Sequence, residues 1–156
     1  MISIQSESFS VEHISNKIRA DNNNIGAVVT FVGYVRDFEK NDGKTLSSME
    51  LEHYPGMTEK VLEDIEKKAL KKWKLSAINI VHRVGKLKPS EPIVCVAVAS
   101  QHRDNAFEAA RFIIDFLKTE APFWKKEITS NGDYWVEDKD SDYQQKMSWS
   151  RTEEKS

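Results

Sequence analysis

Pro92-Ile93-Val94-Cys95-Val96-Ala97-Val98-Ala99-Ser100 is the most apolar run in the chain, and its reading decides the fold. An unbroken apolar stretch, without polar alternation, marks a strand covered on both faces and therefore central in its sheet. The chain leaves this strand through Ser100-Gln101-His102-Arg103-Asp104 and enters a helix. Asn105 and Glu108 have capping-box spacing, and the predicted helix runs to about Lys118. Phe107, Ala110, Ile114 and Leu117 supply its predicted buried stripe. Pro122 ends it, because the residue before a proline avoids helical geometry. Residues 124–128 and 134–136 then flank Asn131-Gly132, a hairpin signal.

Working back from the central strand, Gly85 and Pro89 predict a loop, and residues 77–84 alternate with Ile78, Ile80 and Val84 on one face. Val61, Leu62, Ile65, Ala69 and Trp73 mark a long amphipathic helix after the turn Tyr54-Pro55-Gly56. Residues 45–53 form a strand with Met49 and Leu51 on one face and Glu50 and Glu52 on the other. The polar run 37–44 is a loop, and residues 27–36 are a strand by their β-branched and aromatic content. Gly33 within it hints at a bulge or a close backbone approach. Ser10 caps a first helix carried by Val11, Ile14 and Ile18, which Asp21-Asn22-Asn23-Asn24 stops. Strands thus arrive in pairs between helices. That order predicts an α+β fold with a mixed or antiparallel sheet partly covered by helices.

A length of 156 residues suits one domain, expected over residues 1–136, followed by a polar tail, 137–156, that a partner or a dimer mate would order. With 39% hydrophobic and 31% charged residues, the chain is neither an integral membrane protein nor a disordered one. The start lacks a signal-peptide pattern, and the single cysteine, Cys95, excludes an internal disulfide framework, so a cytoplasmic location is expected. The net charge is -2, and the tail from Glu137 carries six acids against four bases, leaving a neutral body. No broad footprint for nucleic acid is present, and any basic site must be local.

No dinucleotide, P-loop or GxSxG motif occurs. His13, His53, His82 and His102 stand at no metal-ligand spacing, which argues against a metal site. Cys95, mid-strand in the apolar run, reads as a small buried hydrophobe rather than a nucleophile. Two segments have more to offer. His102 and Arg103 sit where a strand end meets a helix N-terminus, a natural anion site, although ordinary loop ion pairs explain them equally well. Lys118 and Lys125 bracket the Pro122 break. If the chain reverses there, both ammonium groups reach one cavity walled by Phe123 and Trp124. Apolar surroundings would make such lysines usable in catalysis, whereas base rates favour solvated surface lysines. Arg36, at the end of its strand, is either a ligand contact or an exit into solvent.

Five segments in order, 26–36 (GAVVTFVGYVR), 51–59 (LEHYPGMTE), 81–85 (VHRVG), 100–107 (SQHRDNAF) and 118–127 (KTEAPFWKKE), closely resemble the family of molybdopterin synthase large, catalytic subunits. The likeness covers about Phe9 to Val136. It implies an α/β hammerhead fold with a small extra β subdomain, and a homodimer. Each copy would bind a small β-grasp sulfur-carrier subunit, making a heterotetramer. The carrier's C-terminal Gly-Gly thiocarboxylate would enter a pocket and give sulfur to cyclic pyranopterin monophosphate, forming the dithiolene of molybdopterin.

By the same resemblance the pocket residues are Phe31, Tyr34, Val35, Arg36, His102, Arg103, Lys118, Lys125, Lys126 and Glu127. A basic residue from the neighbouring subunit, often arginine in the family, matches Lys139 here, and lysine offers no bidentate fork. Lys118 would be the main catalytic group and Lys125 the second, with Arg36, His102 and Arg103 holding phosphate and pterin. No metal or redox cofactor is required, since the sulfur arrives activated. Two other function classes compete with this one. A non-catalytic module that binds a partner's C-terminal tail need not keep both Lys118 and Lys125. A small RNA-binding domain is disfavoured by the neutral body and the lack of a basic, aromatic-studded strand face.

Overall fold

The computed structural model describes residues 1–36, 46–130, 132–136 and Trp149. In chain order the elements are β1 (Ile2–Gln5), α1 (Val11–Asp21), β2 (Ala27–Tyr34), β3 (Leu46–His53), α2 (Met57–Lys72), β4 (Ala77–Arg83), β5 (Gly85–Leu87), β6 (Pro92–Ser100), α3 (Arg103–Glu120), β7 (Phe123–Thr129) and β8 (Gly132–Val136). They form two four-stranded sheets, ordered β1-β4-β6-β2 and β5-β3-β7-β8. The fold is therefore α+β with a mixed sheet and a second, smaller sheet, in line with the expectation. No helix among the described residues is long and apolar enough to cross a membrane.

The apolar run is indeed central. β6 lies between β4 and β2, antiparallel to both. Val94, Val96 and Val98 face one way, into a core built with Leu62, Ile65 and Ala69 of α2 and Phe112 and Ile113 of α3. Ala97 and Ala99 face the other way, where α1 lays Ile18 on them. The small side chains on this second face let α1 approach closely. The second sheet has its own core of Val35, Met49, Leu51 and Leu87, and Ile93 packs against both clusters. Gly33 does mark an irregularity: the register shifts between Gly33 and Tyr34, and a Cβ at Gly33 would sit 2.9 Å from Val94 Cγ1.

Several expectations need correction. β1 was not foreseen; it pairs parallel to β4, a contact made across some 78 residues that short-range pattern cannot reveal. β5 lies in the segment read as a loop and pairs with β3. β2 ends at Tyr34, leaving Arg36 beyond it. The Asn105–Glu108 capping box is absent: α3 begins earlier, with His102 as N-cap, and Glu108 instead accepts a hydrogen bond from Trp73 Nε1 at 2.9 Å. Phe107 is not in the buried stripe but is 61% exposed. The buried residues are Ala106, Ala109, Ala110, Phe112, Ile113, Phe116 and Leu117, and Phe107 lies about 100° round the helix from Ala106. In the hairpin Thr129 pairs with Gly132, so Gly132 is already in the strand rather than in the turn. The predicted loop at 37–44, Asn131 and Lys139 lie outside the described residues.

One residue of the tail is described. Trp149 stands edge-on to Trp73 and Phe112, with centroids 6.0 and 5.6 Å away, and its Nε1 donates to Asp115 Oδ2 at 2.7 Å.

Candidate active site

Arg36, Lys118 and Lys125 belong to segments that lie toward the Pro92 end of β6. β2 runs antiparallel to β6, with Tyr34 opposite Pro92. Val35 is buried, donates its N–H to Glu91 and accepts from the Ser90 N–H, so it fixes the backbone that presents Arg36. α3 returns over the sheet and ends near the same strand end: Phe123, just past the helix, stacks on His82, which pairs with Val94. Lys118 occupies the last turn of α3 and is exposed. Lys125 lies on β7 between Leu51 of β3 and Val136 of β8.

Strand alternation sorts the β7 residues. Phe123, Lys125, Glu127 and Thr129 share one face, and on it Glu127 and Thr129 are buried. Trp124 and Lys126 lie on the other. Lys126 Nζ is 3.8 Å from Asp133 Oδ2 and 5.8 Å from the Trp135 ring centre. Lys126 is thus engaged away from Lys125. The expected wall of Phe123 and Trp124 is corrected by the same alternation: Phe123 shares the face of Lys125, and Trp124 does not.

His102 and Arg103 stand at the opposite end of β6. Their turn is pinned at three points. Ser100 Oγ donates to Lys74 O at 2.9 Å and accepts from the His102 N–H at 3.4 Å, and Gly26 N–H donates to Ser100 O at 2.9 Å. A Cβ on Gly26 would fall 1.9 Å from the Gln101 carbonyl oxygen, so only glycine fits there. The His102 side chain makes no capping bond, and both His102 and Arg103 are exposed. Asp104 shares this first turn, as acids commonly do at a helix N-terminus.

The two groups are far apart within one chain. From His102 to Lys118 the helix rises about 24 Å, and from Val94 to Ser100 the strand extends about 20 Å. One copy therefore places the segments of Arg36, Lys118 and Lys125 toward one end of β6, and His102 and Arg103 toward the other. Phe31 lies between, opposite Val96 and partly buried against the first core. Tyr34 is exposed beside Arg36.

Two buried polar residues of this region were not singled out as site residues from the sequence. His82 is 4% exposed, and its Nδ1 stands 2.8 Å from the Arg83 carbonyl oxygen. Burial lowers its pKa to about 4, and the nearby charges of Lys125 and His53 push in the same direction, against the Arg83 hydrogen bond, so the ring is neutral at pH 7. Thr58 is fully buried in the first turn of α2. Nearby, His53 Nε2 is 3.4 Å from Glu59 Oε1, and Glu59 Oε2 accepts the Gly56 N–H at 2.6 Å. A signal for both was in the sequence. His82 continues the Ile78–Ile80 alternation, and Thr58 is in phase with Leu62, Ile65 and Ala69, so each is a polar residue on an apolar stripe.

Comparison with known proteins bears on this arrangement. A family model described as "MoaE protein" matches residues 4–120. The molybdopterin synthase catalytic subunit of Pseudomonas aeruginosa is 51% identical over 148 residues, covering 95% of this chain and 97% of that protein. Its counterpart from Escherichia coli is 50% identical over 130 residues, 83% and 85% of the two chains. Among solved structures, the molybdopterin biosynthesis MoaE protein of Burkholderia ambifaria superposes with a TM-score of 0.82 at 45% identity, covering 96% of this chain and 97% of that one.

Proposed function

This chain belongs to the MoaE protein family, and from that premise we propose that it moves sulfur from the C-terminal thiocarboxylate of a small carrier subunit onto cyclic pyranopterin monophosphate. Membership makes it the catalytic subunit of a molybdopterin synthase, an enzyme of molybdenum cofactor biosynthesis. What supports the finer reading is that Lys118, Lys125 and Arg36 lie on segments that the topology places toward one end of β6.

In this reading the carrier's Gly-Gly tail enters beside Lys118. The thiocarboxylate sulfur attacks a substrate carbon and an oxygen leaving group departs from that carbon. Water then cleaves the carrier's acyl–sulfur bond, leaving the sulfur on the substrate and the carrier as its carboxylate, while the ammonium of Lys118 stabilises the negative charge that develops. Lys125, exposed on the face of β7 that it shares with buried Glu127 and Thr129, is the second cation. Arg36 grips an anionic group of the substrate, bidentately where geometry allows. Tyr34, Val35 and Glu127 frame these cations, and Phe31 and Lys126 lie further out.

His102 and Arg103 serve the same chemistry from a second copy. Their separation from Lys118 within one chain is what supports this: a homodimer that apposes the two ends of β6 completes each site in trans. Lys139 is the further basic residue offered across the dimer. Two copies and two carriers make the heterotetramer, which works in the cytoplasm. Residues 1–136 form the catalytic domain, and the tail 137–156 is ordered by the partner or the dimer mate, with Trp149 one point already held by its own chain.

The test is a sulfur-transfer assay with thiocarboxylated carrier and cyclic pyranopterin monophosphate. Formation of the dithiolene is expected. Carrier that docks tightly with no sulfur transferred would instead leave a module that only binds a partner's tail.

A further inference from the structure

The turn Ala121-Pro122-Phe123 carries the chain from Lys118 to Lys125, and two side chains from elsewhere in the sequence hold it. Thr58 donates its hydroxyl hydrogen to the Pro122 carbonyl at 3.0 Å and accepts the Tyr54 N–H at 2.9 Å. With donor and acceptor both engaged, the hydroxyl has one orientation. His82 lies flat on Phe123, with ring centroids 3.7 Å apart and planes 14° apart. The Arg83 carbonyl can only accept, so the neutral ring carries its hydrogen on Nδ1, and that bond fixes the ring plane. Inside the turn, the Phe123 N–H donates to the Ala121 carbonyl at 2.9 Å.

Both residues occupy places where an apolar side chain would fill the core without needing a partner. A buried polar group costs stability unless it is bonded. Here the Thr58 bond and the His82 stack converge on two adjacent residues, Pro122 and Phe123. Lys118 stands four residues before Pro122, and Lys125 two after Phe123, so any shift of the turn re-aims one lysine against the other.

We propose that Thr58 and His82 form a clamp on the Pro122–Phe123 turn that sets Lys118 against Lys125, making both positioning residues for sulfur transfer. The proposal rests on the reading of the two lysines given above. Neither clamp residue touches the reacting atoms. Each acts by holding a reactive geometry in which a misplacement of about 1 Å can cost roughly 100-fold in rate.

Single-turnover sulfur transfer in the full complex with thiocarboxylated carrier tests it. Thr58→Val keeps the shape and removes the hydroxyl. His82→Phe keeps the stack and removes the Nδ1 bond, and His82→Ala removes both. Rates are expected to fall about 10- to 100-fold for Thr58→Val and His82→Ala, and less for His82→Phe. Carrier affinity and substrate KM should hold, and Thr58→Ser should restore the rate. The decisive arm repeats Thr58→Val and His82→Phe in Lys118→Ala and Lys125→Ala backgrounds. A clamp that works through the lysines adds no further loss there. Losses that multiply in those backgrounds would overturn the clamp and leave the lysines' role intact. Wild-type rates in Lys118→Ala and Lys125→Ala alone would overturn the reading of the lysines, and the clamp with it. Thr58→Ser and His82→Phe keep the test decisive if a larger change unfolds the protein.

Discussion

The imidazole of His82 and the ring of Phe123 are stacked face to face, 3.7 Å between centroids, in the wall between the two sheets. This joins β4 of the larger sheet to β7 of the smaller one, and it makes a titratable group part of the packing. Burial lowers the His82 pKa from 6.5 to about 4. Between those two values the unfolded chain binds a proton at this site that the folded chain does not. The contribution to stability is therefore complete above pH 6.5 and is lost as pH falls towards 4. The shift corresponds to about 3 kcal/mol. Urea unfolding of the wild type should weaken by about that amount from pH 7 to pH 4, beyond the change shown by His82→Phe. Equal pH slopes in the two proteins would remove His82 as the source.

Arg83, the next residue, is buried, and among the described residues its guanidinium bonds to backbone carbonyls. Its guanidinium donates to Ser6 O from Nε and Nη2 at 3.2 and 3.1 Å, and to Pro92 O from Nη1 at 3.0 Å. It ties the segment after β1 to the start of β6. Arg83→Met should lower stability by about 3 kcal/mol, because hydrogen bonds to a charged group are lost and carbonyl oxygens are left unsatisfied. Hydrogen exchange should show β1 opening before β6. Equal protection of β1 in the variant would show that its parallel pairing with β4 suffices.

The parts of the fold legible in the sequence were those that local pattern determines. β6 declared itself because a strand covered on both faces needs no polar alternation. α2 was plain from its stripe, and Gly33 from its place inside a strand. β1 and β5 were missed because four and three residues are too few to carry a period, and their partners lie in other elements. α3 was misphased because Glu108 looked like a cap, when its partner is Trp73, 35 residues away. The site divides in the same way. The cationic residues stood out by type and by the strings that contain them. The sequence already put His102 before the start of α3 and Lys118 at its end, as observed. What spacing could not give is that Thr58 and His82 spend their polar groups on one turn.

The lysines should rank by face and position. Lys118→Ala is expected to lower single-turnover sulfur transfer by about 100- to 1000-fold, the usual cost of removing a fixed group that meets developing charge. Lys125→Ala should be impaired but less so. Lys126→Ala should be mild, because its ammonium sits by Asp133 and Trp135 on the other face of β7. Carrier binding should persist in all three. A Lys126 effect larger than that of Lys125 would move the reaction to the opposite face of the strand.

A mixed dimer tests whether the site is completed in trans. Arg103→Ala removes a charge-assisted hydrogen bond worth about 1.5–3 kcal/mol, and should weaken substrate binding accordingly. Lys118→Ala removes the proposed main catalytic cation. The two residues lie about 22 Å apart along α3, so they serve one site only if they come from different copies. Co-expressing the two variants with different tags and purifying the mixed dimer places both defects in one site and none in the other. About half of the wild-type activity should then return. If each copy built its own site, every site in the mixed dimer would carry one defect. Activity no higher than the mean of the two parent variants would then place His102 and Arg103 outside the site of the neighbouring copy.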